Sequence, residues 1–339
     1  MRKLDYTGDM CVIQSPSDLY YFTSYRNADA ILVFYGGKSY YFTDSRYFEE
    51  VGFMRGETEI LNISDFNDFV ADNKIKSVSV ESTICVKEYL NYKKLGVENF
   101  SFVDEAVSKL RMIKDDVELG FIKKAQAITD KAFSAVLGDI REGMTERELA
   151  SALEARLFSF GGDGLAFDSI VAFGKNTSKP HAHRGETKLS KGMPITLDFG
   201  AKYEGYCSDM TRTVFFGEPS DEVADVYKCV AEAQNIALDN IERGMTGKEC
   251  DELARGYFRK KGLDGYFVHS LGHSLGIDIH ENPTFSPKCN ATMEKGMVLS
   301  VEPGLYFPDK FGVRIEDIIY FGENGVINLT KSPKNMIIL

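Results

Sequence analysis

The stretch LDFGAKYEGYCSDMT, residues 197–211, places one acidic residue inside each of two short apolar runs. Asp198 lies in the first run and Asp209 in the second, and the KYEG segment between them has the composition of a type I turn. A carboxylate in a buried strand carries a heavy desolvation penalty unless a partner compensates it. We expect a hairpin centred between Tyr203 and Glu204, with the two aspartates opposite each other on one face, ~5 Å apart at Cβ.

A second stretch, VLSVEPGLYFPDKFGVRIEDIIY at 298–320, repeats the arrangement with glutamates. Here Glu302 and Glu316 are predicted to oppose each other across a loop centred on Asp309. If the two hairpins meet, four carboxylates lie together, and each pair at ~4 Å costs roughly 4 kcal/mol at an effective dielectric of about 20. Such a cluster needs protons or cations, and two divalent cations would balance its charge.

Histidines supply a neutral nitrogen ligand in the same half of the chain. All five lie within one hundred residues: His181, His183, His269, His273 and His280. In VHSLGHSLG, His273 lies between Gly272 and Gly276. His269 is four residues earlier, so the two histidines lie on the same face of their segment. Four carboxylates and one imidazole suit Mn, Co, Fe or Zn in a two-metal hydrolytic centre. Taken singly, each of these acids is more often a turn or salt-bridge carboxylate, whereas taken together they favour the metal site.

An internal repeat organises this half of the chain. IREGMTEREL at 140–149 aligns with IERGMTGKEC at 241–250, and each copy has Thr followed three residues later by Glu. That spacing is a capping box, which opens a helix. Because a Gly-rich turn ending in Phe follows each copy, we predict two related halves, each with two helices and then strands, around a pseudo-twofold axis.

The first hundred residues have a different character. Short aromatic and β-branched runs alternate with turns, and Gly36-Gly37 is predicted to be a hairpin turn. From about residue 106 the apolar spacing becomes helical, with a break expected around 114–116. The sequence therefore predicts two domains, 1–112 and 113–339, in a chain of the α/β (α+β) class.

Composition excludes several functional classes. Of 339 residues, 43% are hydrophobic and the formal net charge is -11, without a basic stripe, which argues against a nucleic-acid partner. Since no signal-peptide-like segment and no long apolar run is present, we expect a cytoplasmic protein without membrane insertion. The cysteines occur singly, which favours reduced thiols: Cys11, Cys85, Cys207, Cys229, Cys250 and Cys289.

These motifs together resemble the pita-bread metallopeptidases, which include Xaa-Pro aminopeptidases, prolidases and methionine aminopeptidases. The resemblance lies in DFG with Asp198, SDMTRT with Asp209, GHSLG with His273, EPG with Glu302 and VRIED with Glu316. The segments YYFTSY and AILVFYGGKSYYFTDSRYFEEV resemble the N-terminal domain of creatinase and the proline-specific members. The resemblance implies a small creatinase-like domain at 1–112 and a pseudo-twofold pita-bread catalytic domain at 113–339.

The resemblance also implies how metals are held. Asp198 and Asp209 would hold one ion, and Asp209, His273, Glu302 and Glu316 the other, with Asp209 and Glu316 bridging. We expect two divalent ions, manganese first, with cobalt, zinc or iron as alternatives. A bridging hydroxide would be the nucleophile.

Further roles follow from the same resemblance. Glu302 would carry a proton from the nucleophilic water to the leaving proline nitrogen. The expected substrate contacts, several of which also stabilise the oxyanion, are His181, His269, His280, Arg314 and Tyr306. For His183 and Cys207 we expect no catalytic role.

The expected function is that of an Xaa-Pro aminopeptidase, which releases the N-terminal residue from peptides with proline second. A prolidase that accepts only Xaa-Pro dipeptides is the main alternative, followed by a creatinase-like amidinohydrolase and a non-catalytic binding protein. A homodimer is implied by the family alone. Two departures bear on substrate length: the usual first helix is not expected before MRKLDYTGDMCVIQS, and YRNADA at 25–30 replaces a small-residue stretch.

Overall fold

A computed structural model describes residues 2–26 and 29–339 of the chain. It divides into two compact units, Met1–Arg111 and Met112–Leu339. The YRNADA departure falls partly outside the described residues, because Asn27 and Ala28 are not among them. Over the described part of the chain, no helix combines the length and apolar character needed to cross a bilayer.

The first unit is a mixed six-stranded sheet with helices. Its strands are β1 (Met10–Ile13), β2 (Ala30–Tyr35), β3 (Lys38–Thr43), β4 (Thr58–Asn62), β5 (Ser77–Val80) and β6 (Asn99–Phe102), in the order β4-β3-β2-β1-β5-β6. Its helices are α1 (Pro16–Thr23), α2 (Phe66–Asp72), α3 (Val86–Lys94) and α4 (Asp104–Met112). The predicted hairpin turn at Gly36-Gly37 is confirmed, since Tyr35 pairs with Lys38 and both glycines have positive φ.

The second unit contains two halves, each with two helices followed by strands as the repeat predicted, and the second half has one strand more than the first. The first half has α5 (Asp116–Val136), α6 (Glu146–Ser159), β7 (Gly164–Leu165), β8 (Ile170–Phe173), β9 (Met193–Phe199), β10 (Ala201–Tyr203), β11 (Tyr206–Cys207) and β12 (Met210–Phe216). The second has α7 (Asp221–Asn240), α8 (Gly247–Lys260), β13 (Gly272–Ser274), β14 (Glu281–Phe285), β15 (Val298–Val301), β16 (Gly304–Phe307), β17 (Phe311–Arg314), β18 (Asp317–Gly322) and β19 (Gly325–Asn328). Each half has its own apolar core.

The repeat extends to hydrogen bonds. In the first copy the Thr145 hydroxyl accepts from the Glu148 backbone N–H at 3.2 Å, and the Glu148 carboxylate accepts from the Thr145 N–H at 2.8 Å. The same two bonds join Thr246 and Glu249 at 3.2 and 2.7 Å. Both predicted capping boxes are therefore present.

The register of the first hairpin differs from the prediction by two residues. Asp198 on β9 pairs with Thr211 on β12, and Tyr203 pairs with Tyr206, so Asp209 is not opposite Asp198. The turn consists of Glu204 and Gly205, both with positive φ (44° and 76°). That combination belongs to a type I′ turn, which matches the twist of the strands better than the type I turn we expected.

The second hairpin has the predicted register. Val301 on β15 lies opposite Asp317 on β18, and Gly304 on β16 lies opposite Arg314 on β17. One continuous register thus places Glu302 opposite Glu316. The turn is centred on Asp309, whose φ is 58°.

Arg212 on β12 connects the two halves at their seam. Its fully buried guanidinium donates to the Glu316 carbonyl at 2.5 Å and to the Asp317 carboxylate at 2.7 Å. Beside it, the Glu316 N–H donates to the Thr211 carbonyl at 3.0 Å. The strand after Asp209 and the segment that carries Glu316 are therefore held together by backbone and side chain alike.

Candidate metal centre

One cavity of about 730 Å³ in the second unit collects the predicted site residues. Its wall includes His181, Asp198, Asp209, His269, His273, His280, Glu302, Arg314 and Glu316. Of the site residues predicted from the sequence, only Tyr306 lies outside this lining. The two hairpins and β13 supply the carboxylates and the imidazole from opposite halves of the unit, as expected for a pseudo-twofold site.

Three of the predicted ligands form a compact donor set. Asp209, His273 and Glu316 each offer one ligand atom, all within 4.8 Å of one another. The His273 Nδ1–H donates to the Ser274 carbonyl at 3.1 Å, which leaves the lone pair on Nε2. The His273 Nε2 atom lies 3.6 Å from Asp209 Oδ2 and 3.4 Å from Glu302 Oε1, so its lone pair faces two carboxyl oxygens.

Two buried oxygens of this set have no hydrogen-bond partner in the described chain, namely Asp209 Oδ1 and Glu316 Oε1. A buried carboxylate oxygen without a donor is costly, and a cation between the acceptors removes that cost. The residues therefore fit a divalent metal site. Oxygen and imidazole donors in this proportion suit Mn, Fe, Co or Zn.

The pKa shifts of the site residues also favour a cation site. Burial, and after it the Asp198 and Glu302 charges, raises the pKa of Asp209 well above its usual value. Burial and the Asp209 charge do the same to the pKa of Glu316. Burial raises the pKa of Glu302 to about 8, against the opposing effect of Arg314, and lowers the pKa of His273 to about 4. In the absence of cations these shifts favour the protonated forms of Asp209, Glu302 and Glu316.

Asp198 has a partner of its own, which the sequence did not reveal. The buried Arg314 guanidinium donates to Asp198 Oδ2 at 2.5 Å and to the Tyr306 hydroxyl at 2.5 Å. Its Nε donates to Thr211 Oγ1 at 3.0 Å. Arg314 is thus fixed between both halves, with its charge beside the carboxylate cluster.

His269 on the cavity wall and Tyr306 behind it support Arg314. The His269 Nδ1–H donates to the Ser270 carbonyl at 2.8 Å, so Nε2 accepts from the Tyr306 hydroxyl at 2.9 Å. Burial lowers the pKa of His269 to about 3 and raises the pKa of Tyr306 to about 12. The imidazole is therefore neutral and the phenol protonated, and both orient the guanidinium in this arrangement.

The other histidines line the cavity more openly. His181, His183 and His280 are all exposed on its wall, and the His280 and His273 rings lie edge to face with centroids 4.4 Å apart. Burial, followed by the nearby His181, lowers the pKa of His280. Cys207 lies outside the lining, and its buried thiol donates to the Ile277 carbonyl at 3.4 Å.

Two hydroxyls that the sequence analysis missed connect the predicted ligands. The Thr211 hydroxyl donates to Glu316 Oε2 at 2.8 Å, while the Ser300 hydroxyl contacts Glu302 Oε1 at 3.2 Å and accepts from the His273 N–H at 3.0 Å. Each stands two residues from a predicted ligand along a strand, on the same face. Strand alternation was therefore the signal that could have identified both.

A buried ion pair lies next to the histidines. The Lys114 ammonium is 3.1 Å from the Glu281 carboxylate and donates to Ser274 Oγ at 3.2 Å. Ser274 follows His273 and Glu281 follows His280, so one ammonium contacts the chain neighbours of both histidines. No local sequence pattern marks this pair, because its members are far apart in the chain.

The fold and the site define a metal-dependent hydrolase of the pita-bread type. The model of metallopeptidase family M24 matches residues 120–323, and that of the creatinase/prolidase N-terminal domain matches residues 5–113. The chain belongs to metallopeptidase family M24, and it carries the creatinase/prolidase N-terminal domain. It is therefore a metallopeptidase whose family implies divalent metal ions.

Individual relatives match over almost the full length. An uncharacterized peptidase of Bacillus subtilis is 39% identical over 338 residues, which cover 98% of this chain and 96% of that protein. Among solved structures, an Xaa-Pro dipeptidase from Bacillus anthracis has a TM-score of 0.94 and 36% identity, covering 98% of this chain and 95% of its own. An X-Pro aminopeptidase from Thermotoga maritima has a TM-score of 0.90 and 35% identity, with 98% of both chains covered.

The Thr211 hydroxyl allows a test of the donor set. Thr211→Val keeps the side-chain shape but removes the hydrogen bonds to Glu316 and Arg314, so we expect Mn²⁺ affinity to fall about 10- to 100-fold. Titration calorimetry on the chelator-treated protein measures this change. Thr213→Val is the matched control, because that hydroxyl contacts the backbone of Arg314 instead. Unchanged affinity in Thr211→Val would contradict the assigned contact.

The raised carboxyl pKa values predict how pH and metal affect stability together. With pKa values above those of the unfolded chain, the folded protein without metal binds extra protons, so its stability falls as pH rises from about 4.5 towards about 8. Cations replace those protons. The difference in Tm between Mn²⁺-loaded and EDTA-treated protein should therefore grow between pH 5 and 8 in scanning calorimetry at fixed free Mn²⁺. A difference that shrinks over this range would refute the protonated cluster.

Proposed function

We propose that this chain is a two-metal exopeptidase that hydrolyses the bond between an N-terminal residue and a following proline. The observation that carries the proposal is the buried donor set of Asp209, His273 and Glu316 at the cavity wall, inside a chain of metallopeptidase family M24. The proline preference is supported by the solved relatives, one an Xaa-Pro dipeptidase and one an X-Pro aminopeptidase.

Two divalent cations, manganese first among the candidates, would be held by Asp198, Asp209, His273, Glu302 and Glu316. When bound, they supply Lewis acidity and lower the pKa of water so that it can attack a peptide carbonyl near neutral pH. Thr211 and Ser300 orient the carboxylates of Glu316 and Glu302 by the hydrogen bonds described above.

Glu302 provides the proton transfer in this proposal. It takes a proton from the attacking water and delivers it to the proline nitrogen, which must be protonated before it leaves as an amine. Burial raises the pKa of Glu302 to about 8 in the absence of cations, so the carboxyl must lose its proton on metal binding before it can act as a base. The Ser300 hydroxyl at 3.2 Å holds the carboxylate in place during the exchange.

The cavity wall suits a substrate with proline in the second position. The nitrogen of a proline peptide bond carries no hydrogen, so the scissile bond offers only acceptors to the enzyme. His181 and His280 lie on the same wall and can donate to the carbonyl oxygen as negative charge develops on it. Arg314, whose bonds to Asp198, Tyr306 and Thr211 occupy most of its N–H groups, adds positive charge beside them.

Substrate length separates the main proposal from its alternative. We favour an aminopeptidase over a dipeptidase because the cavity, at about 730 Å³, is in the range that holds drug-sized ligands and can therefore hold a tripeptide. A prolidase with the same metal centre is the second candidate, and the Bacillus anthracis relative favours it.

A peptide panel tests the proposal and separates the two candidates. Mn²⁺-loaded protein, with an EDTA-treated control, is incubated with Ala-Pro-Ala, Ala-Pro and Met-Ala-Ser, and products are followed by mass spectrometry. We expect alanine to be released from Ala-Pro-Ala and chelation to abolish the release. Cleavage of Ala-Pro alone would establish the prolidase, cleavage of Met-Ala-Ser alone would refute the proline preference, and no cleavage would favour a binding protein.

Replacement of the proposed proton carrier gives a second test. Glu302→Gln should lower kcat for Ala-Pro-Ala about 10²- to 10⁴-fold, because the amide oxygen can still face a cation but the group cannot carry the proton. Stopped assays give kcat, and elemental analysis confirms the metal content. Glu323→Gln, an exposed glutamate, is the control and should behave as the wild type. Wild-type turnover in Glu302→Gln would exclude this mechanism.

A further inference from the structure

The loop that carries His181 has little regular structure of its own. A short 3-10 turn, Gly174–Ser178, follows β8, and residues 179–187 form neither helix nor strand. His181 and His183 on this loop are exposed and line the cavity. Something outside the loop must therefore hold these side chains towards the metal centre.

Glu146 at the start of α6 contacts both ends of this loop. The side chain is fully buried, and Oε1 accepts from the Phe173 N–H at 2.8 Å and from the Asn176 amide at 2.9 Å. Its Oε2 accepts from the Gly185 N–H at 2.9 Å. One carboxylate thus joins the residue before the loop, the 3-10 turn and the segment after His183.

These bonds are stronger than the exposed ion pair of the loop. A buried carboxylate that accepts three N–H bonds makes charge-assisted hydrogen bonds, and these offset its desolvation. The ion pair of Arg147 with Glu186 is largely exposed, at 64% and 74% of the side chains, and such pairs contribute little. The loop is also held by the partly buried Arg184–Glu154 ion pair and by a hydrogen bond from Arg314 to the Pro180 carbonyl at 3.3 Å. Glu146 differs from these contacts because its one buried carboxylate joins three separate points of the loop.

The internal repeat shows that the helix itself does not require this glutamate. The aligned position in the second copy is Gly247, at the same place after the N-cap threonine. There a Cβ would lie 2.1 Å from the Thr284 carbonyl oxygen, so the second half brings β14 against the helix instead. A glutamate occurs in the half whose loop carries His181.

We propose that Glu146 is a positioning residue for substrate binding, because its carboxylate fixes the loop 174–187 so that His181 faces the bound peptide. Glu146 lies outside the cavity lining and acts through the loop alone. The expected effect of Glu146 on catalysis rests on the proposed function, whereas its expected effect on the loop does not.

Glu146→Gln is the primary test. The amide replaces one acceptor oxygen with an NH2 group, which must face an N–H donor, so at least one anchoring bond is lost. Backbone amides of 173–187 should then exchange hydrogen faster by mass spectrometry. For Ala-Pro-Ala, kcat/KM should fall about 10- to 100-fold as His181 moves, while Mn²⁺ affinity by calorimetry stays within about twofold of the wild type.

Glu148→Gln is the matched control on the same helix. It makes the same change from carboxylate to amide, but its amide oxygen can still accept the capping-box bond from the Thr145 N–H, and the loop contacts stay intact. This variant should lose little stability and show no faster exchange in 173–187. If Glu146→Gln leaves that exchange unchanged, the proposal is overturned, and the result does not depend on any peptidase activity.

A double-mutant cycle tests whether Glu146 acts through His181. In a His181→Ala background, Glu146→Gln should lower kcat/KM by less than about twofold more, because the two residues act through one route. Full additivity would overturn the proposal.

Should Glu146→Gln not fold, Asn176→Ala removes one of the three bonds and must show the same effects in smaller degree. Failure of the wild type to cleave Ala-Pro-Ala refutes the proposed function, while the exchange result still decides the loop anchor.

Discussion

The catalytic unit is organised around the mutual repulsion of four carboxylates in a buried cleft. Asp198, Asp209, Glu302 and Glu316 lie on one cavity wall, where low solvent exposure strengthens every charge interaction. Protons or cations must compensate these charges. The raised pKa values reflect the free-energy cost of leaving the buried carboxylates uncompensated. A scaffold that holds these groups together without metal must be rigid, since relaxation would separate them. The same rigidity keeps the carboxylates close enough together to bind the cations that compensate their charge.

The rest of the unit supplies that rigidity through contacts between its halves. Arg212 bonds the backbone of Glu316 and the carboxylate of Asp317, so β12 cannot move away from β18. Gln234 on α7 donates to the carbonyls of Val301 and Ile315, the residues that precede Glu302 and Glu316. Arg314 adds a positive charge inside the cluster and pairs with Asp198. Buried polar side chains thus fix the backbone positions, and these positions set the distances between the carboxylates.

The sequence allowed the fold and the positions of the acids to be predicted because both depend on local periodicity. Alternation placed Asp198 on the correct face even though the register was wrong by two residues, since a shift of two leaves every side chain on the same face. The error arose at Glu204-Gly205, where a non-glycine residue adopts positive φ. Asp198 with Arg314, Lys114 with Glu281 and Glu146 with Gly185 could not be predicted, because partners distant in the chain leave no local pattern.

The two halves share a plan but have diverged where each meets the cavity. At the aligned helix position the first half has Glu146, which anchors an irregular loop, and the second has Gly247, which lets a strand approach the helix. The first solution leaves His181 on a loop joined at three points by hydrogen bonds to one side chain. The second places His280 next to β14 and beside the buried Lys114–Glu281 pair. The position of His181 therefore depends on side-chain hydrogen bonds between distant residues, whereas the position of His280 follows from the start of a strand that pairs with β13.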